Sequence, residues 1–150
     1  MKVLVPIDGS KHSSEGLRVA SHFAKTNKAK VVILNVIPSV ADIDLELSAS
    51  ERDRLLESLK RRGEDLLAKA KDQMRSLGAA DVSTVLITGD SPAQEIVSFG
   101  EKEKIDLIVI GSKGKSATAR FLLGSVASKV VKYSHCCVYV VKEPCWAQHA

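Results

Sequence analysis

The sequence predicts an α/β protein with an open sheet of five parallel strands and helices on both faces. Short runs of β-branched residues alternate with helical patterns along the chain, which is the α/β signature. The runs are almost continuously apolar, as expected for strands that helices cover on both faces. Two loops rich in glycine, serine and charge follow the first and the fourth run.

Five runs are predicted as strands: residues 3–7, 31–37, 82–88, 107–110 and 138–141. Pro6 is tolerable where the first strand ends, because a missing N–H costs little there. Ligands of open α/β sheets bind at the carboxyl ends of the strands, where the strand order reverses. The order 3-2-1-4-5 brings the two glycine-containing loops into one crevice, whereas 2-1-3-4-5 separates them, so we predict the former.

Four helical patterns fill the gaps between the strands. The first starts after Ser10, with Ser13 as its expected N-cap. The second and longest opens with a capping box at residues 48–51, and the third opens with a serine N-cap and a proline at residues 91–92. The fourth spans about residues 124–133. Its expected inward-facing residues are Val126, Ala127, Val130 and Val131.

The length and composition are those of one compact domain. At 150 residues, with 45% hydrophobic and 27% charged residues, the chain is neither disordered nor a disulfide scaffold. No apolar run approaches the ~20 residues that span a bilayer, and the first residues show no signal-peptide pattern. Three cysteines, an odd number, fit a reducing compartment. We therefore expect a cytoplasmic protein.

Positive charge is concentrated near the end of the chain. The net charge is +4, and residues 107–142 contain six basic residues and no acidic one. Such a local field favours a site for a small anion over the broad basic face that binds DNA or RNA. Aromatic residues, at 4%, leave few platforms for stacking bases. We therefore expect neither a nucleic-acid partner nor a membrane.

The loop after the fourth strand has the pattern Gly-x2-Gly-x9-Gly-Ser, formed by Gly111, Gly114, Gly124 and Ser125. Glycine lets a backbone approach phosphate closely, and the helix start behind it adds free N–H groups. An ordinary glycine loop with a serine cap is the alternative interpretation. A Walker A motif is excluded because Val109 stands where that motif needs glycine.

Residues 6–10 and the Gly-x2-Gly-x9-Gly-Ser pattern together resemble the universal stress protein family, specifically its ATP-binding branch. The resemblance covers residues 2–142 and includes residues 89–92, 106–111 and 136–141. The long glycine motif is specific, and the other segments are supportive. The resemblance implies a Rossmann-like fold of the adenine nucleotide alpha hydrolase type over residues 1–142, followed by a tail at 143–150.

The resemblance also implies a binding site for ATP, or for AMP or ADP, with Mg²⁺ held through the phosphates. Asp8 and the backbone near Val36 would hold the adenosine end. Gly111 and Gly114 would line the path of the ribose and phosphates. The phosphates themselves would bind at Gly124, Ser125 and Val126. The full expected set is Pro6, Ile7, Asp8, Val36, Ile110, Gly111, Gly114, Lys115, Gly124, Ser125 and Val126.

Two positions depart from the family pattern. Lys115 stands where arginine is frequent, and Cys137 where proline is frequent. Lysine binds phosphate as a point charge and cannot form the two parallel bonds of arginine.

Asp8 has two interpretations from the residues alone. An aspartate before Gly9 and Ser10 is a turn or helix-capping signal, but in the predicted crevice it could also accept a hydrogen bond from a nucleotide or help hold Mg²⁺ through water. The closeness of Asp8, Ser10 and His12 in the sequence establishes no catalytic triad. We expect His12 on the surface.

The histidines and cysteines near the end of the chain are His135, Cys136, Cys137, Cys145 and His149. Neighbouring side chains of an extended segment point to opposite faces, so Cys136 and Cys137 cannot easily share one metal ion. We expect no protein metal site here and a buried, apolar role for at least one cysteine.

The last strand is expected to lie at a sheet edge with an apolar sequence: Val138, Tyr139, Val140 and Val141. Such an edge must be paired or covered, and the resemblance implies a homodimer through this strand. The predicted function is ATP binding in a regulatory or stress-related role. The alternatives are a slow Mg²⁺-dependent ATP hydrolase and a nucleotide-free interaction module of the same fold.

Overall fold

The computed structural model describes residues 1–40, 46–113 and 123–142. Strands and helices alternate as β1 (Lys2–Pro6), α1 (Lys11–Asn27), β2 (Lys30–Ile37), α2 (Ala49–Ser76), β3 (Val82–Thr88), α3 (Pro92–Lys102), β4 (Leu107–Gly111), α4 (Ser125–Tyr133) and β5 (Cys137–Val141). The strands form one sheet in the order β3-β2-β1-β4-β5, and every neighbouring pair is parallel. The predicted fold class and strand order are therefore confirmed.

Two hydrophobic cores lie on opposite faces of the sheet, and β1 contributes to both. Val3 and Val5 pack with residues of α1 and α2, whereas Leu4 between them packs with residues of α3 and α4. All three side chains are fully buried. Because successive side chains of a strand point to opposite faces, a strand between two helix layers must be apolar at every position.

Serine side chains cap α2 and α3 as predicted. Ser48 Oγ accepts a hydrogen bond from the N–H of Glu51 at 3.2 Å, and Ser91 Oγ accepts one from the N–H of Gln94 at 3.3 Å. Pro92 follows as the first residue of α3. Each cap satisfies one of the N–H groups that a helix start leaves without a partner.

The predicted N-cap of α1 is wrong, because Ser10 and not Ser13 caps the helix. Ser10 Oγ accepts from the N–H of Ser13 at 3.2 Å. The left-handed conformation of Gly9, with a φ of 83°, turns the chain into the helix directly after the strand. Ser13 is buried in the first turn, and its hydroxyl donates to the Ser10 carbonyl at 3.0 Å.

Helix α4 begins at the predicted place, but one of its expected inward residues faces outward. Ala127 and Val130 are buried and Val126 is half-buried, whereas 46% of Val131 is exposed. Residues 130 and 131 lie about 100° apart around a helix. The face of α4 that packs on α3 and β5 is therefore too narrow to include Val131.

Helix α2 is longer than the sheet that it covers. Its 28 residues span about 42 Å, whereas the seven residues of β3 span about 23 Å. Gly63 lies against Ile37 and Leu86 near the carboxyl ends of β2 and β3, and the buried residues of α2 all lie from Gly63 onward. Residues 49–62 therefore project beyond the carboxyl edge of the sheet.

The helices in the described ranges are too short or too polar to cross a membrane.

Gly111 at the end of β4 lies directly against the first turn of α1. An added Cβ would lie 2.8 Å from both the carbonyl carbon and the Cβ of His12. These atoms belong to or adjoin the main chain, so they cannot rotate away as the tip of a long side chain can. Gly111 therefore allows α1 and β4 to approach each other at the carboxyl edge of the sheet.

Replacing Gly111 by alanine is expected to lower the free energy of unfolding by about 1–3 kcal/mol, because the methyl group must displace the start of α1. The matched control is Gly16→Ala in α1, where the added Cβ would lie 3.6 Å from its nearest neighbour, Val5 Cγ1. This control is expected to raise stability by about 0.5–1 kcal/mol, the gain of alanine over glycine within a helix. Urea unfolding followed by circular dichroism measures the free energy of unfolding of both variants. Equal values for Gly111→Ala and Gly16→Ala would contradict the tight packing at Gly111.

Candidate functional site

The candidate site lies at the carboxyl edge of the sheet, on both sides of β1. The chain leaves β1 toward β2 and β3 and returns to β4 on the other side. This reversal of strand order is the place where open α/β sheets bind ligands. The segments that follow β1, β2 and β4 all begin at this edge.

Pro6 ends the pairing of β1 with β4. The N–H of Ile7 donates to the Leu34 carbonyl at 2.8 Å, so the main-chain groups of Ile7 face β2 and those of Pro6 face β4. Proline has no N–H to donate, and the register of β1 with β4 covers only Val3 and Leu4. The hydrogen-bonded pairing of the two strands therefore stops before the carboxyl edge.

Asp8 forms the turn that joins β1 to α1. Its Oδ1 accepts a hydrogen bond from the N–H of Ser10 at 2.9 Å, and its own N–H donates to Ser13 Oγ at 3.4 Å. A side chain that bonds the backbone two residues ahead forms an Asx turn. Asp8 therefore has the turn-forming role that was one of its two interpretations from the sequence.

The main-chain groups of Val36 face the opening between β1 and β2. The N–H of Lys30 donates to the Met1 carbonyl at 3.0 Å, and the Leu34 carbonyl accepts from Ile7. Since alternate residues of a parallel strand face the same neighbour, the N–H and C=O of Val36 also point toward the β1 side. The strand pairing stops at Pro6 and Leu34, so these groups lie beyond it.

Asn35 is a buried polar residue that the sequence reasoning missed. Only 7% of it is exposed, and its Nδ2 donates to the Ile7 carbonyl at 2.8 Å. The available signal was a single amide within the apolar run 31–37. Asparagine is depleted in strands, and a buried amide requires a hydrogen-bond partner.

On the other side of β1, Ser112 fixes the start of α4 to the end of the sheet. Its carbonyl accepts from the N–H of Gly124 at 2.7 Å, and its N–H donates to the Val141 carbonyl at 2.8 Å. Ser112 is buried. Gly114 and Lys115, two of the predicted site residues, lie outside the described residues.

The first turn of α4 presents N–H groups without a side-chain cap. Its N-cap is Gly124, and no side chain caps the helix in the part of the chain that the structure describes. The first bond of the helix runs from the N–H of Ser128 to the Gly124 carbonyl at 2.9 Å. The N–H groups of Ser125, Val126 and Ala127 precede it, and such a helix start binds anions.

The predicted site residues therefore fall into three groups. Asp8 and Val36 lie at the carboxyl ends of β1 and β2. Gly111 and the segment 124–126 lie next to β4. Three others are buried and form supporting structure rather than surface: Pro6, Ile7 and Ile110.

Asp8 and Ser10 both stabilise the turn that starts α1. The carboxylate of Asp8 binds a main-chain N–H, and Ser10 Oγ caps α1. His12, expected on the surface, is half-buried, and its Nδ1 is buried without a hydrogen-bond partner. Among the described residues, no group of three or more His, Cys, Asp or Glu side chains could hold a metal ion.

Cys136 and Cys137 lie at the opposite, amino-terminal edge of the sheet. There they line an open cavity of about 610 Å³ together with Glu101, Lys104 and His135, among others. Cys136 is half-buried against the core of α3 and α4 and Cys137 is exposed, so neither is the fully buried cysteine that was expected, and Cys145 lies outside the described residues. Burial raises the pKa of the Cys136 thiol, which favours the protonated, unreactive form.

Comparisons with known proteins identify the family of this chain. A model described as the universal stress protein family matches residues 1–142. Universal stress protein MJ0531 of Methanocaldococcus jannaschii is 40% identical over 143 residues, which cover 95% of this chain and 82% of that protein.

Two solved structures are similar to this chain in fold. Universal stress protein UspA from Lactobacillus plantarum has a TM-score of 0.83 at 25% identity, covering 95% of this chain and 97% of that one. A universal stress protein in complex with cAMP has a TM-score of 0.70 at 28% identity, covering 94% and 95%. The chain therefore belongs to the universal stress protein family.

Proposed function

We propose that this protein binds an adenine nucleotide, and specifically ATP, at the carboxyl edge of the sheet in a regulatory or stress-related role. The observation that supports the proposal is that two sets of main-chain groups, those of Val36 and of the α4 start, lie on either side of β1 at the carboxyl edge of the sheet. The relative in complex with cAMP supports an adenine nucleotide as the ligand class.

The adenine would bind at Val36. Adenine carries an amino donor next to a ring-nitrogen acceptor, and one residue's C=O and N–H form the complementary pair. Both groups of Val36 face the opening where β1 has ended. Main-chain recognition of this kind needs no polar side chain, which agrees with the apolar sequence around Val36.

The phosphates would bind at the start of α4. The N–H groups of Ser125, Val126 and Ala127 provide donors, and the helix dipole places partial positive charge there. Gly114 and Lys115 belong to this proposal through the glycine motif. Mg²⁺ would be held mainly by phosphate oxygens and water, as is usual for this ion, with Asp8 as a neighbouring carboxylate.

We also propose that the protein is a cytoplasmic homodimer that pairs through β5. This strand lies at the edge of the sheet. The Val141 carbonyl accepts from Ser112 in the loop after β4, so the main-chain groups of Val138 and Val140 face outward. Tyr139 packs on Phe23 of α1, with the ring centroids 6.2 Å apart, so its side chain belongs to the subunit's own core.

Gly124→Val is expected to weaken ATP binding at least about tenfold, because a branched side chain at the helix start obstructs close approach of phosphate. Gly124 has a φ of −60° and a ψ of 159°, which any residue adopts, so the fold should persist. Titration calorimetry with ATP and with adenosine measures the effect, and adenosine binding should not change. The control is Ser128→Val, an exposed position one turn later. Unchanged ATP affinity in Gly124→Val would remove the α4 start from the site.

Val138→Pro is expected to convert the dimer to a monomer. The substitution removes an outward N–H from the edge, which leaves the β4–β5 hydrogen bonds in place but blocks pairing with a second strand. Light scattering after size-exclusion chromatography measures the mass, and circular dichroism checks the fold. Val138→Thr keeps the N–H and the branched shape and should remain dimeric. A dimer formed equally well by the proline variant would contradict pairing through β5.

A further inference from the structure

We infer that Asn35 is the positioning residue for the adenine end of the site: its side-chain amide binds the Ile7 carbonyl and so leaves the N–H of Val36 available to a ligand. The inference rests on the proposed nucleotide site and adds a residue that does not itself touch the nucleotide. Three observations carry it, namely the hydrogen bond of Asn35, the register of β1 and β2, and the packing of α2 on the amide.

Asn35 takes the place of a main-chain hydrogen bond between β2 and Ile7. The N–H of Ile7 donates to the Leu34 carbonyl at 2.8 Å, as in a regular parallel pair. In such a pair the next bond would run from the N–H of Val36 to the Ile7 carbonyl. The Ile7 carbonyl instead accepts from Asn35 Nδ2, also at 2.8 Å. The carbonyl is thus satisfied without the N–H of Val36.

The packing of α2 determines the orientation of the Asn35 amide. Asn35 is buried and points to the face that α2 covers. A Cβ added at Gly63 of α2 would lie 3.0 Å from Asn35 Oδ1, so the helix backbone closely approaches the oxygen side of the amide. The nitrogen side faces Ile7. The tight packing holds the amide in the orientation that the Ile7 carbonyl requires.

Asn35 also acts on the turn that follows Ile7. Ile7 immediately precedes Asp8, whose carboxylate closes the turn into α1. The bond from Asn35 therefore fixes the exit of β1 as well as the free edge of β2. One buried side chain sets both sides of the opening into which we place the adenine.

The test compares Asn35→Leu with the wild type, using adenosine and inorganic tripolyphosphate as separate probes in calorimetry. Leucine keeps the approximate size but cannot donate, so the Ile7 carbonyl takes the N–H of Val36 or shifts. We expect affinity for adenosine to fall about tenfold and affinity for tripolyphosphate to stay unchanged. A merely structural role would lower both. Ile33→Val, in the same strand and on the same face, is the control for general loss of packing.

A second variant and a second measurement make the test independent of how well Asn35→Leu folds. Asn35→Ala removes the donor without placing a bulkier group against α2, so it should show the same selective loss. In the wild type, adenosine should slow hydrogen exchange at the N–H of Val36. The inference about Asn35 would be overturned if either variant bound adenosine as tightly as the wild type does. It would also be overturned if adenosine left the hydrogen-exchange rate of the Val36 N–H unchanged. Neither result would affect the proposed function. A wild type that binds neither adenosine nor ATP would overturn the proposed function as well.

Discussion

The early end of β1 is the constraint on which the candidate site depends. A central strand of a regular sheet exchanges hydrogen bonds with both neighbours along its whole length. Here Pro6 lacks the donor that would continue the pairing with β4, and Asn35 takes the carbonyl that would continue the pairing with β2. The early end of the pairing on both sides of β1 therefore results from one missing N–H and one added amide.

The fold was predictable because its signals are local. Apolar runs marked the five strands, and serine and glycine marked most helix ends. The main errors in the predicted elements were the N-cap of α1, placed at Ser13, and the inward orientation expected for Val131 in α4. The strand order also followed, since only one of the two orders considered brought the chemically distinctive loops together. Each of these signals depends on residues that are close in the sequence.

The details of the site were less predictable because they depend on register between distant segments. Nothing in residues 31–37 shows that Asn35 lies opposite Ile7, which is 28 positions away. In the same way, the role of Ser112 appears only when its carbonyl is placed against Gly124. The glycine motif located the site, but the pairing of strands determined which main-chain groups are left to form it.

Gly111 shows how one residue can satisfy two demands. The family resemblance assigns it to the path of the nucleotide, and the structure places it against His12, where a Cβ would meet the start of α1. The packing demand alone is enough to require glycine at this position. Its presence in the motif therefore carries less information about ligand binding than Gly124 does, since the backbone of Gly124 would accept any residue.

The projecting half of α2 gives the molecule an uneven distribution of local stability. Residues 49–62 carry mixed charges and contribute no buried side chain, and an isolated helix of this length is only marginally stable in water. The turns before Gly63 therefore keep their shape by continuity with the packed half of α2 and by the cap at Ser48. Fraying from this end opens neither core, so residues 49–62 can change shape at a much lower free-energy cost than global unfolding.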